Sequence, residues 1–173
     1  MPGPFKRADC PTAGGSTFPK DPLIADQPFD GFEIGVLHML RLFWMAWQIP
    51  QSRAWIDAFS FADRQFGPDQ GPLMARAVLD ISLALGETRR APLRFYDPYC
   101  RTCSASITKE ENHLISSLYH FRRGTPQARA HSMMLCEGED EMVFHQALAR
   151  LLRRAGYLDP NLAPKHASQP PTH

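Results

Sequence analysis

The sequence predicts an all-α protein of about six helices in one compact, bundle-like domain. Apolar residues recur at helical spacing in several segments, and glycine and proline separate those segments. Only residues 93–96 have the composition of a strand, and one strand cannot make a sheet. With 173 residues, of which 43% are hydrophobic and 21% charged, the chain is long enough to bury one core.

The two ends of the chain differ from its middle. Residues 1–29 and 159–173 are rich in proline and polar residues and show no sustained periodicity, which predicts a flexible arm and a flexible tail. A single helical domain is expected over 30–158, with a Cys-x-x-Cys loop at 96–107. Because the start lacks the apolar run of a signal peptide, we expect a cytoplasmic protein.

The first predicted helix, residues 32–48, is apolar nearly all round. Such a helix is either the central helix of a bundle or an interface for a protein partner or a second copy of the chain. We do not expect a membrane span, because the uninterrupted apolar stretch is far shorter than ~20 residues. Arg41 at its centre also opposes insertion into lipid.

Turn and cap signals divide the rest of the domain into five further helices. Ser52 is the predicted N-cap of the second helix, which ends at Gly67. The third runs from about Pro72 to Leu85, with Gly86 at its end.

The last three helices follow the Cys-x-x-Cys loop. Thr108 and Glu111 form a capping box that starts the fourth helix, because each side chain can bind the other's backbone amide. A short fifth helix follows Thr125 and reaches Cys136, and the sixth covers about 140–155.

The spacing of Cys100 and Cys103 suits a metal ion, since two thiolates three positions apart can lie on the same side of a turn. If the fourth and fifth helices form an antiparallel hairpin, Cys136 returns to about the level of His113. The sequence therefore predicts a structural zinc site of Cys100, Cys103, Cys136 and His113. An iron-sulfur cluster is the alternative if Cys10 joins the other three cysteines.

Residues 95–103 resemble the strand-to-helix active-site segment of thioredoxins, including the aromatic residue before the first cysteine. The resemblance implies dithiol redox chemistry in which Cys100 attacks and Cys103 resolves. It covers about nine residues, and no βαβ unit precedes the motif. Four cysteines without an export signal also argue against a structural disulfide framework.

Charge and composition narrow the function. The chain has 19 basic and 18 acidic residues, so its net charge is too small to attract nucleic acid. Arg122, Arg123 and Arg129 could nevertheless belong to a tri-helical DNA-binding unit. The sequence shows no set of acidic and basic side chains that would converge on a substrate, so nothing in it indicates an enzyme. We expect a small cytoplasmic, non-enzymatic regulatory or adaptor protein. The alternatives are a dithiol redox protein or iron-sulfur sensor using Cys100 and Cys103, and a helical DNA-binding regulator.

Overall fold

The computed structural model describes residues 3–9 and 21–158. This part of the chain folds into six α-helices, which confirms the predicted all-α class, with one small sheet beside them. The helices are α1 (Gly31–Gln48), α2 (Ala54–Phe66), α3 (Gly71–Thr88), α4 (Lys109–Arg122), α5 (Gln127–Leu135) and α6 (Met142–Arg154). The strands are β1 (Phe5–Arg7) and β2 (Leu93–Phe95), and three short 3₁₀ turns cover Ile24–Asp26, Pro50–Ser52 and Cys103–Ala105.

Helix α1 is the central helix of the bundle. It packs on α2, α3 and α4, while α3 also packs on α6, and α4 packs on α5. Met39 and Phe43, in the middle of α1, are 0% and 5% exposed. The large apolar side chains that α1 exposes are Ile34 and Trp47, close to its two ends. The chain itself therefore covers the apolar face that was predicted as an alternative partner interface.

The sheet has a strand that the sequence did not reveal. Strand β1 pairs in parallel with β2, with Phe5 opposite Leu93 and Arg7 opposite Phe95. The Phe5 side chain is buried and stacks on the Trp44 ring, with a centroid separation of 5.3 Å. This apolar contact fixes β1 against the middle of the bundle.

Parts of the predicted flexible arm over 1–29 therefore lie on the helices. Residues 3–9 include β1, and residues 21–29 end at Phe29, whose side chain is buried. The remainder of the predicted arm and the predicted tail, 159–173, lie outside the described residues.

Local capping sets the start of α1 and α4. The Thr108 hydroxyl accepts from the Glu111 amide at 3.1 Å, and Glu111 Oε2 accepts from the Thr108 amide at 2.9 Å, which confirms the predicted capping box. A second capping box, which the sequence analysis missed, joins Asp30 and Glu33 at the start of α1. At the end of α3 the helix continues past Gly86, the predicted stop, to Thr88.

A buried ion pair joins α1 to α4. Arg41 Nε lies 2.7 Å from Glu111 Oε1, and Arg41 Nη2 lies 2.8 Å from Glu111 Oε2. The two side chains are 3% and 0% exposed. Glu111 therefore serves at once as the capping residue of α4 and as the counter-ion of the arginine that interrupts the apolar α1.

We expect Arg41→Met to destabilise the fold by about 3–5 kcal/mol, because it leaves the Glu111 carboxylate buried without its counter-ion. Urea unfolding of the variant and the wild type measures this loss. The matched control is Arg76→Met, which removes an exposed arginine paired with Asp80 at 3.0 Å and should cost at most about 1 kcal/mol. Equal losses in the two variants would contradict the role given to the buried pair.

Candidate functional site

The Cys-x-x-Cys loop, residues 96–107, connects β2 to α4 and begins with a tight turn. The Asp97 carboxylate accepts from the Tyr99 amide at 2.9 Å, and the Asp97 carbonyl accepts from the Cys100 amide at 3.3 Å. The Cys100 carbonyl in turn accepts from the Ser104 amide at 2.8 Å. These bonds place Cys100 and Cys103 on one short, folded stretch of backbone.

The inner side of the loop rests on the buried ion pair. Arg41 Nη1 donates to the Ser104 carbonyl at 2.8 Å, and Arg41 Nη2 donates to the Ser106 carbonyl at 2.6 Å. Glu111 Oε1 accepts from the Tyr96 amide at 3.3 Å. A single pair of buried charges thus holds both ends of the loop, and the planar guanidinium matches the two carbonyls that face it.

The segment before α1 covers the other side of the loop. Leu23 and Ser106 form an antiparallel bridge, and the Ile107 amide donates to the Pro22 carbonyl at 3.0 Å. The Tyr96 hydroxyl donates to the Asp21 carboxylate at 2.8 Å. Burial and this carboxylate raise the pKa of Tyr96, so the phenol stays protonated and keeps donating.

The two cysteines of the motif have different environments. Cys103 is 1% exposed and disulfide-bonded, whereas Cys100 is partly exposed. The Cys103 amide donates to Cys100 Sγ at 3.3 Å. Cys10 lies outside the described residues. The sequence argued against a framework of structural disulfides and did not predict the disulfide at Cys103.

The structure does not gather the predicted zinc ligands. Within residues 3–9 and 21–158, no three or more histidine, cysteine or acidic side chains are grouped so that they could hold a metal ion. That range includes all four predicted ligands, Cys100, Cys103, Cys136 and His113. These four side chains thus do not form such a group in this structure, and binding of zinc or an iron-sulfur cluster by the protein stays a prediction.

Cys136 and His113 take part in other contacts. Cys136 follows α5 and its side chain is 0% exposed. Burial, with a smaller contribution from Glu141, raises the pKa of the Cys136 thiol to about 11. His113 Nδ1 lies 3.1 Å from His131 Nδ1, so the imidazole faces α5 instead of the cysteine loop.

An exposed apolar surface, not identified from the sequence, borders the loop. The Tyr99 hydroxyl donates to the carboxylate of Asp57 in the first turn of α2, and burial together with that carboxylate raises the pKa of Tyr99. Trp55 and Ile56, on the same turn, are 52% and 40% exposed, and Tyr99 is 53% exposed. The pattern of α2 gave no signal for this surface, because the Tyr99 to Asp57 contact joins distant parts of the chain.

The arginines considered for DNA binding are paired with carboxylates. The closest contacts are Arg122 Nη2 to Asp30 at 2.6 Å, Arg123 Nη1 to Glu33 at 3.0 Å, and Arg129 Nε to Glu141 at 3.1 Å. The Arg122 guanidinium lowers the pKa of the Asp30 carboxyl, so this pair stays ionised. These three side chains do not form an unpaired basic surface for a phosphate backbone.

Comparison with known proteins gives no relative: no family model, no curated protein and no solved structure matches this chain. Among the described residues, none of the helices has both the length and the hydropathy needed to cross a membrane. Functional inference therefore rests on the geometry of the loop and its surroundings.

We expect Cys136 to resist alkylation in the folded protein, because its thiol is buried and its raised pKa keeps it protonated near neutral pH. Peptide mass spectrometry after iodoacetamide treatment, with and without denaturing urea, measures this. Labelling of Cys136 should require urea. Complete labelling of Cys136 in the native protein would contradict the buried position.

Proposed function

We propose that this protein is a small regulatory protein that works as a thiol-disulfide switch at Cys100 and Cys103. The observation that carries the proposal is the asymmetry of the motif. Cys103 is buried and disulfide-bonded, while Cys100 is partly exposed and its Sγ accepts a hydrogen bond from the Cys103 amide at 3.3 Å. An amide aimed at sulfur can stabilise the negative charge that a thiolate carries during exchange.

The chemical step is thiol-disulfide exchange. The Cys100 thiolate attacks Cys103 Sγ, a Cys100 to Cys103 bond forms, and the existing bond to Cys103 breaks. The sulfur that leaves departs as a thiolate and takes up a proton, which balances the proton that Cys100 lost. No electrons enter or leave in this step. Net reduction then requires a partner dithiol, which becomes a disulfide as it reduces the Cys100 to Cys103 bond.

The surroundings of the loop provide a way to transmit the change. Ser104 and Ser106, which follow Cys103 in the loop, accept hydrogen bonds from Arg41 through their carbonyls. Ser106 also bridges to Leu23 in the segment before α1. A change in the bonding of Cys103 would therefore act on both the central helix and this segment.

In this proposal the protein works in the cytoplasm, a reducing compartment where disulfides are usually transient, catalytic or redox-sensing. Exchange also requires a second sulfur held beside the disulfide, and the Cys103 amide holds Cys100 Sγ at 3.3 Å.

A partner protein would meet the loop at its apolar border. Tyr99, Trp55 and Ile56 are each at least 40% exposed, and the Tyr99 hydroxyl donates to Asp57, the residue after Ile56. Aromatic side chains of this kind contribute strongly to protein interfaces. In this proposal the partner binds at the α2 side of the loop, in place of the predicted interface on residues 32–48.

We expect the Cys103 disulfide to be reduced reversibly by a dithiol while the helices stay folded. Titration with mixtures of reduced and oxidised dithiothreitol, followed by alkylation and peptide mass spectrometry, measures the bonding of each cysteine. Circular dichroism measures helicity in parallel. Cys100→Ser should slow reduction of the Cys103 disulfide, because the attacking thiol is lost.

Cys136→Ser is the matched control, since it removes a buried thiol that the exchange does not use. Its reduction kinetics should equal those of the wild type. Equal kinetics in Cys100→Ser and the wild type, or reduction only after the helices unfold, would contradict the switch and indicate a structural disulfide.

A further inference from the structure

Three histidines meet where α4 packs on α5. His113 and His120 lie on α4, and His131 lies on α5 between them. His131 Nδ1 is 3.1 Å from His113 Nδ1, and the His131 ring stacks on the His120 ring with centroids 5.4 Å apart and planes 10° from parallel. All three side chains are partly buried. The sequence analysis did not identify this cluster, because His131 reaches His113 only through the packing of α5 on α4.

The contact between the two Nδ1 atoms depends on protonation. With both rings neutral, one Nδ1 can donate its proton to the lone pair of the other. If both rings are charged, each Nδ1 carries a proton, so the hydrogen bond is lost and two cations face each other across 3.1 Å. The stacked His120 ring adds a third charge of the same sign when it is protonated.

The neighbouring groups do little to neutralise such charges. His113 faces Lys109 and Glu110 from its own helix, and Arg89 from the segment after α3. The charged neighbour that lowers the pKa of His120 is the Arg123 guanidinium. Burial lowers the pKa values of His113 and His120 the most, and these cations lower them further.

Other contacts of α5 come from α6, from the turn that follows α5, and from Arg89, which donates to the Leu135 carbonyl at the end of α5. The pKa of His131 is lowered by burial first and then by the two α4 histidines. On the inner face of α5, His145 Nε2 of α6 lies 2.8 Å from the Ser132 hydroxyl, and on its outer face Arg129 pairs with Glu141. Neither contact brings a carboxylate to the His131 ring.

Helix α5 also has turns at both ends that could permit movement. Gly124 precedes it with φ of 65°, and Glu137 and Gly138 follow it with φ of 59° and 79°. Consecutive positive φ values outside a helix mark tight turns where a few residues can absorb a change in direction. The helix has nine residues and packs mainly on α4.

We propose that His113, His120 and His131 form a proton-sensitive latch that holds α5 against α4 when the imidazoles are neutral and releases α5 when they are protonated. The device is separate from the cysteine loop and does not depend on thiol chemistry. Its ligand is the proton, since within the described residues these three imidazoles do not form a group that could hold a metal ion.

The direction of the pH dependence follows from linkage. The folded protein holds these histidines at lowered pKa, so the unfolded or opened state binds protons more readily. The stabilisation is fully present above about pH 6.5, the usual pKa of histidine, and is lost as the pH falls below that value. Acidification should therefore open α5 before the other helices.

Hydrogen exchange measured by mass spectrometry at about pH 5 and about pH 7.5 tests the latch. After correction for intrinsic exchange rates, α5 peptides should lose protection at the lower pH by about tenfold for each unit by which a histidine pKa is lowered. Peptides from α3 should change less. In His131→Gln the difference between the two pH values should disappear from α5.

His38→Gln is the matched control, because His38 packs on the Phe61 ring between α1 and α2, with centroids 4.7 Å apart. The α5 response should persist in it. Should His131→Gln lose helicity at the higher pH, His120→Gln gives the same test from the α4 side. Equal α5 protection at both pH values in the wild type, or an unchanged response in the folded histidine variant, would overturn the proposal.

Discussion

The structure depends on the buried pair of Arg41 and Glu111. An arginine in the middle of the central helix is costly unless its charge and its donors are all satisfied. Glu111 supplies two oxygens to it, and the carbonyls of Ser104 and Ser106 accept the remaining contacts. Because Glu111 also caps α4, one requirement fixes the position of α1, the start of α4 and the path of the cysteine loop. Hydrophobic packing alone would not specify that arrangement.

This constraint supports the thiol-disulfide switch that we propose for the loop. A thiol-disulfide switch needs cysteines held in a defined geometry, with a way to pass a change in bonding to the rest of the protein. The loop is held from beneath by Arg41 and from above by the segment around Leu23. The proposed histidine latch lies farther along α4, where His113 and His120 face His131 of α5. Both proposed devices border α4, the loop at its start and the latch along its middle and end.

Much of the helical framework was predictable because its signals are local. The Thr108 to Glu111 capping box lies within four residues, and the stripe of α6 repeats within one helix. The stop predicted at Gly86 was wrong, since a glycine ends a helix only when its surroundings favour the left-handed conformation. The candidate site was predictable in part: Cys100 and Cys103 stand out by spacing, whereas their different burial does not appear in the motif.

The sequence by itself determined the class of fold, the order of the helices and the loop that carries the cysteines, because periodicity, caps and turns act over a few residues. Tertiary structure decided the rest. The pairing of β1 with β2, the burial of α1 by its own chain, the pair of Arg41 with Glu111 and the meeting of His131 with His113 all join residues far apart in sequence. Such contacts form only when the whole core closes, since each needs partners whose positions other helices set.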